Sequence, residues 1–458
     1  MKARIGYEIF PDRFYSRTHK PKTLGWKEPI TCRSDGSHQY DFYGGDLKGI
    51  IKKLDYIVSL DVDFVYLTPI FRALSSHRYD TLGFFEIDPM LGTLEDFKEL
   101  SQRLHEENLR LVIDGVFNHI SDRHIWNGDE KDFILKNGEQ KNYWNDLPWM
   151  PELNLENSEL RKLLWSGEDS VVKYWLRMGA DDWRLDCAYD IGYEYCREIS
   201  NAAKSLGDHE TIGEIWSYPE KWLKSGGLSS VMNYYFRELI TQFLQRELKG
   251  EQFNSLIAKT VADCGLEPIL KCWNTLSTHD TPRLRHTFKD RWSLALCLQF
   301  TLPGSPLIYY GEELGLNTDG DPHCRQPFPW HLATAENPDL RLYRKWISLF
   351  KSSAALNSGD FEGLQCANSQ LLSYARKSER IQDLKVIIIN PTDSVQSFRV
   401  YTKESSLMNN AIMSDHFSDR KAKVTNSTVS GEIPANSFSV LYPEVAFKSY
   451  SPYKRVLD

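Results

Sequence analysis

Arg184 and Asp186 stand two residues apart in the stretch DDWRLDCAYD, residues 181–190. In an extended strand that spacing puts both side chains on one face. A buried guanidinium beside a carboxylate is either a structural ion pair or a tuned catalytic group. Three further segments carry polar residues of the same kind. DGVFNH holds Asp114, Asn118 and His119, GEIW holds Glu214 and Trp216, and STHD holds His279 and Asp280. Asp186, Glu214 and Asp280 therefore bring three carboxylates from three segments, accompanied by two histidines and an arginine. No metal triad or nucleophile elbow fits these residues as well. Two carboxyls flanking a scissile bond are the minimum apparatus for glycoside hydrolysis, one ionised and one holding a proton. Arg184 favours an ionised Asp186, whereas apolar Ile212, Ile215 and Trp216 and nearby negative charge favour a proton on Glu214. Asp186 is the expected nucleophile and Glu214 the expected acid/base.

Such groups must be held by a scaffold. Short β-rich runs at 4–9, 64–69, 110–117, 181–186, 211–216, 230–234, 272–278 and 306–310 alternate with helical patterns. Helices are expected over 46–60, 94–108, 170–178 and 191–206, with Asp46 and Thr93 as N-caps. Eight strands alternating with helices predict a closed (β/α)8 TIM barrel, whose chemistry sits at the C-terminal strand ends. No GxGxxG follows the first strand, which argues against a dinucleotide fold. About 40 residues separate the third strand from the next helix, far more than an ordinary loop. They predict a small insert, with Trp144 and Trp149 read as its core rather than as a ligand platform. After residue 356, LLSYARK, KVIIIN, SFRVY and SFSVLYP read as an antiparallel β-sandwich. The expected domains are a barrel over 1–118 and 158–355, an insert over 119–157 and the sandwich over 356–458.

The bulk composition excludes other classes. A net charge of −8 from 55 basic and 63 acidic residues is no nucleic-acid footprint. No apolar run is long enough to span a membrane. MKARIGYEIF lacks the apolar core of a secretory signal. Eight cysteines show no CxxC pair and read as free thiols in a reducing cytoplasm. The terminal YKRVLD reads as a solvated tail.

DGVFNH, WRLDCA, GEIW and STHD resemble, in order and spacing, the four signature regions of the α-amylase superfamily, glycoside hydrolase family 13. YGGDLKGIIKKLDYI, MPELN and LPGSPLIYYGEE agree with it, and the resemblance runs from about residue 4 to the C-terminus. It implies a retaining mechanism, with Asp186 as nucleophile and Glu214 as acid/base. It implies that Asp280 grips the −1 sugar, that Arg184 orients Asp186, that His119 and His279 bond the −1 glucose, and that Asp114 supports the arginine or the sugar. VYLTPIF, SSHRYDT, VMNYYF and DPHCRQPFPW resemble the cyclomaltodextrinase, neopullulanase and maltogenic amylase subgroup. That likeness implies Tyr79 under the −1 sugar with His77 beside it, Trp216 at the +1 subsite and Arg325 near −2 or −3. The implied substrate is an α-1,4-glucan: maltooligosaccharides, cyclodextrins or related chains. A transglycosylase or an exo-acting α-glucosidase stays open.

Three departures qualify the likeness. The subgroup's N-terminal β-domain has no counterpart ahead of the first strand, so a monomer is expected over a dimer. Tyr189-Asp190 replaces the subgroup's usual Asn-Glu on the acceptor side. The first loop, YSRTHKPKTLGWKEPITC, lacks the Asn/Asp-rich run that binds calcium in several relatives, so no cofactor or metal is expected.

Overall fold

Strands buried on both faces need continuous apolar sequence, and the eight runs supply it. The computed structural model describes residues 2–17, 38–128 and 131–444. Its barrel strands are β1 (Gly6–Ile9), β2 (Phe64–Leu67), β3 (Arg110–Gly115), β4 (Asp182–Leu185), β5 (Thr211–Ile215), β6 (Ser230–Asn233), β7 (Trp273–Thr275) and β8 (Ser305–Tyr309). Each pairs in parallel with its sequence neighbour, and β8 closes on β1. The expected TIM barrel is present.

Inward-facing Phe64, Val112, Ile212, Met232, Trp273 and Leu307 fill the barrel floor. Gly6 lets the Phe64 ring lie across that floor, because a Cβ there would fall 2.2 Å from the ring. The register sets Asp114 of β3 beside Arg184 of β4, and Glu214 of β5 beside Met232 of β6. The polar layer thus rests on an apolar one, which excludes water from below.

The helices form largely where the periodicity places them. Thr93 and Asp96 make a reciprocal capping box on Leu94–Glu106, a device contributing about 1 kcal/mol. Asp46 caps its helix as expected, accepting from the Gly49 amide. The segment 46–60 is two helices rather than one, Leu47–Lys52 and Leu54–Ser59, broken at Lys53.

Two excursions rise over the C-terminal face of the barrel. Phe71–Ala73 pairs antiparallel with Thr81–Ile87, a hairpin that period-2 reading missed because its first arm has three residues. Its turn carries His77 and Tyr79. The second excursion follows β3 and is tied by the bridges His119↔Glu152, Ile134↔Leu153 and Tyr143↔Pro151.

The C-terminal strands form one continuous nine-stranded antiparallel sheet that curls around its own core. Alternation in Lys385–Asn390 explains how it docks. Val386 and Ile388 face the sheet's core, while Ile387 and Ile389 join the barrel's outer core. No helix among the described residues is long and apolar enough to cross a membrane. Most of the first loop, with Cys32, and the terminal YKRVLD lie outside the described residues, so the readings placed on them rest on sequence alone.

Candidate active site

The C-terminal strand ends, the hairpin turn and the insert enclose a cleft of about 870 Å³. Arg184 sits beneath it, fully buried. Its Nη1 donates to Asp114 Oδ1 at 2.9 Å and to Asp186 Oδ1 at 2.8 Å. Its Nη2 lies 2.9 Å from Glu214 Oε2. One guanidinium thus holds three carboxyls, and Asp186 and Glu214 converge on its two ends. Asp114 also accepts from the Tyr66 and Tyr79 hydroxyls, at 2.6 and 2.9 Å.

This sharing corrects the electrostatic expectation. Arg184 does not single out Asp186. Burial pushes the Asp186 carboxyl up to about 8; Arg184 opposes the rise, while the charges of Glu214 and Asp114 add to it.

Cys187 follows Asp186 in a left-handed conformation, φ 47° and ψ 40°, which costs a non-glycine residue about 1–2 kcal/mol. The turn aims its amide at Glu214 Oε2, 3.1 Å away, and its thiol at Asp186 Oδ2, 3.2 Å away. The strained residue thus touches both carboxyls that Arg184 holds.

Asp280 faces them across the cleft. Its Oδ2 lies 3.1 Å from His279 Nε2, and Arg325 Nη2 donates to its Oδ1 at 2.9 Å. Burial opposes ionisation of Asp280, yet His279 and Arg325 hold it far below the usual carboxylate range. His279 is bracketed on its other side by Glu8, 2.7 Å from Nδ1. Burial disfavours the imidazolium, but Asp280 and Glu8 outweigh it and push His279 up to about 10. The pair is therefore an ion pair with the anion facing the cleft.

Aromatic surfaces complete the walls. Tyr79 has the His77 and His279 rings as neighbours, with centroids 5.9 and 5.4 Å away. His119 stacks on Trp144 at 4.8 Å, and burial pushes its imidazole down to about 3. Trp216 stacks on Tyr234 at 3.7 Å, leaves 54% of its surface exposed and donates from Nε1 to Glu214 Oε1 at 3.1 Å.

The sequence matches "Alpha amylase, catalytic domain" over residues 8–148 and 135–349. The chain belongs to the alpha-amylase family of glycoside hydrolases. Among curated relatives it is 31% identical to neopullulanase 2 of Thermoactinomyces vulgaris over 88% of this chain and 72% of that protein. It is 32% identical to a cyclomaltodextrinase of a Bacillus species over 85% of this chain and 73% of that one. Among solved structures, a cyclomaltodextrinase superposes with a TM-score of 0.82 at 28% identity, covering 96% of this chain and 78% of that one. The ligand-free cyclic α-maltosyl-(1→6)-maltose hydrolase of Arthrobacter globiformis gives 0.79 at 27% identity, covering 96% and 98%.

Within this alpha-amylase barrel, Asp186, Glu214, Asp280, His119, His77, Tyr79, Trp216 and Arg325 all line one cleft. Arg184, Asp114 and His279 do not line it. They are fully buried, Asp114 accepting from Arg184 and His279 lying against Asp280. Trp144 and Trp149, read as insert core, line the cleft instead. Trp144 packs partly buried against Tyr79, Val116 and Met150 at the cleft wall, and Trp149 is left exposed.

Two contributors were missed, Glu8 and Cys187, and Asp190 gained a partner that its sequence position did not show. Glu8 closes the His279 pair from β1, and the signal was a lone acid among the apolar residues of GYEI. Cys187 carried no signal, because its role comes from the backbone turn. Asp190 accepts from Trp144 Nε1 at 3.2 Å, so the departure Tyr189-Asp190 ties β4's exit to the insert.

Arg184→Met should leave three buried carboxyls without their cation. We expect a loss of about 3–5 kcal/mol at pH 7. Equilibrium unfolding of both chains measures it. A loss too small to detect would show that the carboxyls do not need the guanidinium.

Proposed function

We propose that this enzyme cleaves α-1,4-glucosidic bonds in maltooligosaccharides, cyclodextrins or related α-glucans with retention of configuration. The observation that carries the reading is the single guanidinium of Arg184, which holds Asp186 and Glu214 at its two ends within one cleft. Retention requires two carboxyls close together with no room for a water between them. Asp186 attacks the anomeric carbon while Glu214 gives its proton to the departing glycosidic oxygen. The resulting β-glycosyl ester is then hydrolysed by a water that Glu214, now a base, deprotonates.

Asp280 is suited to grip hydroxyls of the distorted −1 sugar, because its charge is secured by His279 and Arg325. Tyr79 offers that sugar a flat face, and His119 and His77 offer neutral imidazoles. No step in this scheme calls on a metal or cofactor. The names of the relatives, neopullulanase and cyclomaltodextrinase, support the substrate class. Every cysteine among the described residues is a free thiol, and a 33% identical relative is an intracellular maltogenic amylase of Bacillus subtilis. Both support the cytoplasmic reading.

A second resolution of the ester, by a sugar acceptor, is favoured by the exposed aromatic surface beyond Glu214. Trp216 and Tyr189, the latter 64% exposed, border the cleft there and offer stacking faces. Products from cyclodextrin, pullulan, starch and maltotriose, followed over time, test both. Hydrolysis predicts one new reducing end per bond broken. Longer oligosaccharides accumulating from maltotriose without matching reducing ends would overturn hydrolysis as the main reaction.

A further inference from the structure

We propose that His119, Asp186 and Cys187 form a binding site for a soft divalent cation such as Zn²⁺ or Cd²⁺, and that its occupancy silences the cleft. One ligand atom from each residue lies within 4.8 Å of the other two. His119 Nε2 is 3.9 Å from Asp186 Oδ2, and Cys187 Sγ is 3.2 Å from the same oxygen. Bond lengths of about 2.0 Å to nitrogen and oxygen and about 2.3 Å to sulfur put tetrahedral edges at roughly 3.3–3.6 Å. The edges that involve the imidazole nitrogen must shorten, and the edge between sulfur and oxygen is already near its length.

A second observation points the same way. His119 Nε2 is buried, its residue 1% exposed, and it has no hydrogen-bond partner among the described residues. A buried imidazole nitrogen facing a carboxylate and a thiol is a donor set for an ion. All three residues line the cleft, so an ion can reach them and keep its fourth position toward solvent. The pinned turn at Cys187 holds the thiol beside Asp186. The set of one sulfur, one nitrogen and one oxygen selects Zn²⁺ or Cd²⁺ over the hard ions Ca²⁺ and Mg²⁺. On binding, the Cys187 S–H bond breaks, its proton passes to the buffer and a metal–sulfur bond forms. Asp186 Oδ2 becomes a ligand and is lost as a nucleophile. The inhibition, though not the binding, rests on the function proposed above.

Titration of the full chain with Cd²⁺, read by thiolate-to-metal ultraviolet absorption, tests the site. We expect one equivalent to produce a band that is absent in Cys187→Ser, and affinity at least about 10-fold weaker in His119→Gln. Mg²⁺ should neither produce the band nor compete. A band of unchanged size in Cys187→Ser would move the metal to another thiol and overturn the proposal. Unchanged affinity in His119→Gln, with the fold intact by circular dichroism, would remove the histidine and overturn the site as drawn. In parallel, Cd²⁺ should inhibit glucan cleavage by the wild type at least about 10-fold more strongly than by Cys187→Ser. Equal inhibition would overturn the silencing. A chain with no glucan activity but a Cys187-dependent band would overturn the proposed function while leaving the metal site supported.

Discussion

Asp186→Asn is expected to lower α-glucan cleavage by at least about 10⁴-fold, the scale on which removal of a nucleophile acts. The amide keeps the shape of the side chain but cannot form the ester. The same substitution should stabilise the fold at alkaline pH. Burial raises the Asp186 carboxyl to about 8, against an ordinary value near 3.9 in the unfolded chain. A carboxyl that holds its proton more tightly when folded makes the unfolded state the one with fewer protons. Stability then falls as pH rises from about 4 to about 8. The neutral amide escapes that loss. Melting temperatures of the two chains should coincide best near pH 4 and diverge toward pH 8, where the amide variant is the more stable by a few degrees. Near-wild-type turnover would refute the assignment of the nucleophile. An amide variant that loses ground toward pH 8 would mean that the attraction of Arg184 outweighs burial.

Glu214→Gln should cost about 10²–10⁴-fold with natural glucans, the range of general acid catalysis. Its signature is a dependence on the leaving group. A glucosyl bond to a strongly acidic phenol departs without a proton, so the first step should survive with such a substrate. The second step still lacks its base. A burst of phenol equal to the enzyme concentration, followed by slow turnover, is the expected time course. Equal losses with both substrates would leave Glu214 a structural partner of Arg184 only.

What the sequence alone determined follows from short-range rules. Period-2 spacing put Arg184 and Asp186 on one face, and alternation of strands and helices required a closed barrel with its chemistry at the strand ends. The capping residues Asp46 and Thr93 were legible because an N-cap bond spans three residues. The same logic collected Asp186, Glu214 and Asp280 into one cleft. What only the tertiary structure decided depends on distances between segments far apart in the chain. Arg184 meets Asp114 and Glu214 across the β3–β4–β5 register, so its charge is divided, and burial then governs Asp186. Glu8 reaches His279 only because β8 closes on β1, while the chain at Asp190 meets the insert at Trp144. A sequence states which groups are present and which face they share locally. The dielectric around each group, and how many neighbours share one charge, are properties of the packed barrel.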